Sequence, residues 1–134
     1  MIRLNSIICF AIFICMVALS CNNLKAGEIA KIDYRYSGCF GSFRNKISFF
    51  QSNGNLFARL DAPSGSKTIG ITYSELKQLQ TVIQNVKNLK KRGGCTSSIR
   101  YIISDGSGTI IREDEGCQKT GFDELHRKIF GDSY

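Results

Sequence analysis

The stretch ISFFQSNGNLFARL, residues 47–60, decides how this chain folds. At its centre, Asn53-Gly54 is the favoured pair for a two-residue type I′ turn, because both turn positions take positive φ. Such a turn sets Ser52 opposite Asn55 and fixes every later pairing. Ile47 then meets Leu60 and Phe49 meets Ala58 on one face, while Phe50 meets Phe57 and Ser48 meets Arg59 on the other. Strand side chains alternate between faces, so the first set is the core face. Phe50 and Phe57 are open to two readings. With Arg59 they form an interaction surface on the face away from the helices, or a second helix or a twist of the sheet covers them.

Upstream, Ile32, Tyr34 and Tyr36 alternate with Lys31, Asp33 and Arg35, the pattern of a half-buried strand ending at Ser37-Gly38. Downstream, Ala62–Ser66 reads as a loop and Lys67–Ile71 as a short extended run. Thr72-x-x-Glu75 predicts a capping box, and Leu76, Leu79, Val82, Ile83, Val86 and Leu89 line one side of the helix it opens. Lys87, Lys90, Lys91 and Arg92 crowd the last turns of that helix before Gly93-Gly94. Their placement complements the negative end of the helix dipole; a basic patch for a membrane or partner is the competing use. Ile99–Ser104 and Thr109–Asp114 predict a hairpin around Gly106-Ser107 with a type II′ turn. That register sets Arg100 opposite Glu113, whereas the three-residue alternative would set it against Arg112. Thr120-x-x-Asp123 caps a short final helix with Phe122, Leu125, Ile129 and Phe130, and Gly131 near its end. The expected fold is α+β. It is a two-layer sandwich of about five antiparallel strands (two hairpins and a leading strand) with one long and one short helix, in one domain over residues 28–134.

The first 20 residues have the three-part form of an export signal: Arg3, then IICFAIFICMVAL at 7–19, then Ala18-Leu19-Ser20 before a processing site. The apolar run is shorter than the roughly 20 residues that a membrane-spanning helix needs. Ala18, Leu19, Ser20 and Cys21 resemble the lipobox of bacterial lipoproteins. Ser20 and Cys21 fit it well, while Ala18 stands where leucine is usual and Leu19 where a small residue is usual. The resemblance implies a lipid on Cys21 and a membrane anchor through it, with residues 21–27 as a tether; plain cleavage and secretion is the alternative. The expected location is outside the cytoplasm, in the cell envelope on the periplasmic side or cell surface, or secreted.

Export permits disulfides. In the preferred hairpin register Cys95 and Cys117 fall within one residue of directly opposite, so a bridge between them is expected; Cys39 bonded to either of them, or all three cysteines reduced, are the alternatives. Cleavage before Cys21 removes Arg3 and leaves 17 Lys+Arg against 11 Asp+Glu, a net charge of +6. That balance suits anionic surfaces such as phospholipid headgroups or acidic polysaccharide, and export argues against nucleic acid.

The body carries no nucleophile elbow, phosphate loop or calcium loop. Cys39, in Ser-Gly-Cys-Phe-Gly-Ser, and the single His126 would have to meet for thiol catalysis. The three body cysteines and His126 come from separate segments without the spacing of a zinc site. No catalytic residue, metal or cofactor is therefore assigned. The expectation is a non-enzymatic envelope module, a binder, inhibitor or accessory subunit, whose partner is an envelope protein or polysaccharide. A thiol enzyme using Cys39 and a purely structural envelope protein are the alternatives.

Overall fold

The computed structural model of the chain describes Lys25 and residues 27–132. The expected export signal, the expected lipidation site at Cys21 and most of the expected tether lie outside the described residues. The elements run β1 (Glu28–Gly38), β2 (Gly41–Ser52), β3 (Asn55–Ala62), β4 (Gly65–Ile71), α1 (Tyr73–Lys87), β5 (Ser97–Asp105), β6 (Gly108–Asp114) and α2 (Phe122–Phe130). The fold is α+β and mostly sheet. All strand pairings are antiparallel, in the order β4-β3-β2-β1-β5-β6.

The Asn53-Gly54 hairpin has the expected register throughout, from Ser52↔Asn55 to Ile47↔Leu60. Both turn residues take positive φ, 49° and 78°. Ala30, Ile32 and Tyr34 of β1, Ile47 and Phe49 of β2, Ala58 and Leu60 of β3 and Tyr101 and Ile103 of β5 share one buried cluster with Leu79, Val82, Ile83 and Val86 of α1. Phe122, Leu125, Ile129 and Phe130 of α2 join the same cluster, so both helices cover one face of the sheet. Thr72 and Glu75 form the expected reciprocal capping box.

Five local expectations are corrected, the last of them the turn of the second hairpin. Among the described residues the sheet has six strands, because Lys67–Ile71 belongs to β4, which pairs with β3 along its length. The leading strand is one arm of a further hairpin. Gly38 sits opposite Gly41, so Cys39-Phe40 is a tight turn and β2 starts six residues before Ile47. Helix α1 stops at Lys87, leaving Lys90, Lys91 and Arg92 beyond its end. There Gln118 takes over the backbone of Lys90, accepting from its N–H at 3.3 Å and donating to its carbonyl at 2.7 Å, and the chain runs on to Cys95. Thr120 does not make the cap expected with Asp123. Gly121 is the N-cap at φ 82°, and the Thr120 hydroxyl accepts from Phe122 N–H at 3.2 Å instead.

The second hairpin has the expected register, with Arg100 opposite Glu113 and Asp105 opposite Gly108. Its turn is not type II′, since the positive φ falls at Gly108 (128°) and not at Gly106. The Asp105 carboxylate organises the turn instead, accepting from Ser107 N–H at 2.8 Å and from Lys87 Nζ at 3.0 Å.

Cys95 and Cys117 are joined by a disulfide with their Cα atoms 5.9 Å apart, and Cys39 is an exposed free thiol. The bridge closes a segment of 22 residues, worth about 3 kcal/mol by restricting the unfolded chain. The double variant Cys95→Ser/Cys117→Ser should keep its sheet signal in circular dichroism while its urea stability falls by about that amount. An unchanged unfolding midpoint would show that the bridge carries no stability.

Candidate binding face

Among the described residues no helix covers the second face of the sheet, which alternation along the strands fills with outward side chains. On β1 it presents Lys31, Asp33 and Arg35, on β2 Arg44, Lys46, Ser48 and Phe50, on β3 Phe57, Arg59 and Asp61, and on β5 Arg100 and Ile102. Neighbouring strands align these side chains into rows. One row holds Phe50 and Phe57, the next Lys31, Ser48 and Arg59, and the third Asp33, Lys46, Asp61 and Ile102. The fourth holds Arg44, Arg35 and Arg100 on three adjacent strands, ending on Glu113 of β6.

Two of the carboxylates in this field, Asp33 and Asp61, are engaged by arginines, while Glu28, beside Phe50 in register, accepts from Lys25 N–H. Asp33 accepts from Arg44 Nε at 2.9 Å, and that bond, with Lys46 and Lys31 nearby, holds its carboxyl below the usual range. Asp61 is lowered first by its hydrogen bond from Ser66 and then by Arg59, whose Nε lies 2.9 Å away. Among the described residues, Lys31, Arg35, Lys46 and Arg100 make no ion pair. Glu113 stands opposite Arg100 in register without bridging to it. The face therefore carries uncompensated positive charge.

Phe50 and Phe57 stack with ring centroids 5.5 Å apart and an interplanar angle of 22°, half-buried, with neither helix on their side. Phe50 joins Lys25, Lys31, Lys46, Ser48 and Arg59, with the carboxylates of Glu28 and Asp61, around a shallow depression of about 410 Å³. A second depression of about 190 Å³ lies among Asp33, Arg35, Arg44, Arg100 and Ile102.

A larger cleft of about 630 Å³ separates the helices. Two pairs of its polar groups bridge its walls, Asn85 Nδ2 donating to the Thr120 carbonyl at 3.0 Å and Lys128 Nζ to Gln78 Oε1 at 3.1 Å, and Lys119 and Glu124 also line it. The two bonds tie the helix pair together, and the cleft lacks the aromatic pair and the row of cations that the open sheet face carries.

The remaining candidates are dispersed. Lys87 is held by Asp105, whose carboxyl is raised by burial but lowered more by Ser107 and Lys87. Lys90, Lys91 and Arg92 are exposed on the segment after α1. Cys39 lies in the β1–β2 turn with its Sγ 3.8 Å from the Thr96 carbonyl. His126 is buried on the helix side of the sheet, its ring 5.3 Å from Phe130 and 6.1 Å from both Tyr34 and Phe122. The cysteine and the histidine are thus held in different environments, one in a solvent-exposed turn and one in the core. Among the described residues no three His, Cys, Asp or Glu side chains gather as a metal site, and no helix is long and apolar enough to cross a membrane.

The arginine row was not read from the sequence. Each arginine is visible alone, but their meeting depends on β1 pairing with both β2 and β5, and the β1–β5 pairing is long-range. The hint was the outward position of Arg35 on the alternating first strand. Compared with known proteins, the chain matches no family model and no curated protein. Its function has to be argued from the face itself.

Burial pushes the His126 pKa below 6.5, against a smaller upward pull from Asp123. The unfolded chain therefore takes up the proton first, and stability is full above pH 6.5 and falls as the pH drops below it. Asp33, Asp61 and Asp105, all lowered from 3.8, add a further loss in stronger acid. Thermal melts should show a first decline below pH 6.5 that His126→Leu removes and an acid limb that it leaves in place. A first decline unaltered in the variant would assign it to another group.

Proposed function

We propose that this chain is a non-enzymatic binding module of the cell envelope whose open sheet face takes an acidic polysaccharide. In this reading residues 1–20 direct export, and a lipid on Cys21 ties the domain to a membrane through residues 21–27. The scaffold is a two-layer sandwich, with the helices as one layer and the ligand-binding sheet as the other.

The observation that carries the reading is the pairing, on a face that no helix of the described residues covers, of a stacked aromatic pair with rows that include the unpaired cations Lys31, Lys46, Arg35 and Arg100. Aromatic faces suit the C–H faces of sugar rings, and guanidinium forks suit planar carboxylates. Phe50 and Arg44 are six residues apart on β2, which at about 3.4 Å per residue is about 20 Å. A polymer can occupy both ends at once, whereas a single small molecule cannot. The shallowness of the depressions also favours an extended chain over an enclosed substrate. The exposed Cys39, with no histidine in its turn, lacks the base that a thiol enzyme needs.

Affinity electrophoresis through gels containing polygalacturonate, neutral dextran or single-stranded DNA tests the polymer. Retardation by polygalacturonate alone, weakening as salt rises, is the expected result. Equal retardation in neutral dextran, or stronger retardation by DNA, would refute the acidic-polysaccharide reading. The intact mass of the protein extracted from membranes tests the anchor: the expected mature chain begins at Cys21 and carries added lipid. A mass matching an unmodified chain that starts downstream of Cys21 would remove the tether.

A further inference from the structure

Three arginines stand side by side on the open face, with Glu113 beyond Arg100 at the end of the row, and the central Arg35 has a like charge on both flanks. Arg35 sits directly opposite Arg44 on one flank and directly opposite Arg100 on the other. Like charges facing each other across strands repel. Asp33 compensates Arg44 but leaves Arg35 and Arg100 without an ion pair among the described residues. All three are exposed, so neither burial nor packing requires a guanidinium at these positions. Ile102 closes one wall of the depression between them.

We propose that Arg35, Arg100 and Arg44 form a subsite for one oxyanion group, a carboxylate or sulfate ester, of the acidic polysaccharide. The inference rests on the function proposed above and specifies where the acid group of the polymer is held. Strands about 4.8 Å apart bring guanidiniums of adjacent strands to either side of one small anion. Arg35 is central, and its fork can donate two parallel hydrogen bonds to a planar carboxylate. Arg100 supplies the second unpaired cation. Arg44, fixed by Asp33, sets the far edge of the subsite. The anion relieves the repulsion within the row, so its binding is coupled to the stability of the sheet.

The test uses Arg35→Gln, Arg35→Lys and, as a charge-matched control off the face, Lys91→Gln. Each is measured for polygalacturonate and dextran sulfate affinity, and for its thermal midpoint in sodium sulfate against sodium chloride at equal ionic strength. Arg35→Gln should weaken polymer binding roughly ten- to a hundredfold, the worth of a charge-assisted hydrogen bond. Its midpoint without ligand should equal or exceed that of the natural chain. Arg35→Lys should recover only part of the affinity, since the ammonium keeps the charge and loses the fork. Lys91→Gln should bind like the natural chain. Sulfate stabilises most proteins through exclusion from their surface, so the expected signature is a larger sulfate effect in the natural chain than in Arg35→Gln. A preference for polygalacturonate identifies a carboxylate as the group held, and a preference for dextran sulfate a sulfate ester.

If the natural chain binds polymer and Arg35→Gln binds equally well, the subsite is wrong while the binding face stands. Equal weakening by Arg35→Gln and Lys91→Gln would reduce the site to general charge and overturn it. If neither polymer binds but sulfate stabilises the natural chain more than Arg35→Gln, the oxyanion subsite survives and the polysaccharide reading fails.

Discussion

β1 is hydrogen-bonded along both edges, to β2 on one side and to β5 on the other, with Ile32 facing Ile47 and Ile103. The first pairing is local and closes through the Cys39-Phe40 turn. The second joins residues 30–38 to residues 97–105 and unites the two halves of the sheet. It puts Tyr34 beside Tyr101 beneath Phe122, with ring centroids of 4.6 Å and 5.5 Å to that phenylalanine. The Tyr34 hydroxyl accepts from Asn45 at 3.0 Å, which satisfies a polar group that burial would otherwise penalise. The same pairing, read on the opposite side of the strand, brings Arg100 against Arg35. Core and candidate site are therefore two consequences of one strand register.

The disulfide works at the other end of this assembly. Cys95 precedes β5 and Cys117 follows β6, so the bridge ties the mouth of the last hairpin, and Cys95 N–H also donates to the Glu115 carbonyl at 3.2 Å. Asp114, buried at the end of β6, accepts from Gly116 N–H at 3.0 Å and Gln118 N–H at 2.9 Å and turns the chain toward α2. Gln118 in turn holds the segment after α1. These contacts position the helices on one side and leave the charged side uncovered.

Local chemistry was legible in the sequence wherever a short-range rule was decisive. Asn53-Gly54 dictated its hairpin, Thr72 and Glu75 their cap, and the β5–β6 register followed from the choice between Glu113 and Arg112 opposite Arg100. Expectations slipped where a distant partner intervened, and also where a neighbouring residue reset the backbone, as Gly121 does before α2 and Asp105 in the β5–β6 turn. The basic run after Lys87 reads as helix by composition, yet Gln118 and the path to Cys95 draw it out. Thr120 has the spacing of a cap, but the left-handed Gly121 shifts the helix start by one residue. Phe50, Phe57 and Arg59 were recognised as one side of a hairpin, while the row formed by Arg44, Arg35 and Arg100 needed the long-range pairing of β1 with β5. No period in the sequence encodes that pairing.

Mapping by nuclear magnetic resonance tests most directly whether the open sheet face is the binding surface. Isotope-labelled protein would be titrated with polygalacturonate fragments at low salt, following backbone amides and arginine side-chain Nε–H signals. The binding-face account predicts the largest shifts at Arg35, Arg44 and Arg100 and along β1, β2 and β5, extending toward Phe50 and Phe57. Shifts concentrated instead at Lys90–Arg92, or in the cleft between α1 and α2, would contradict it.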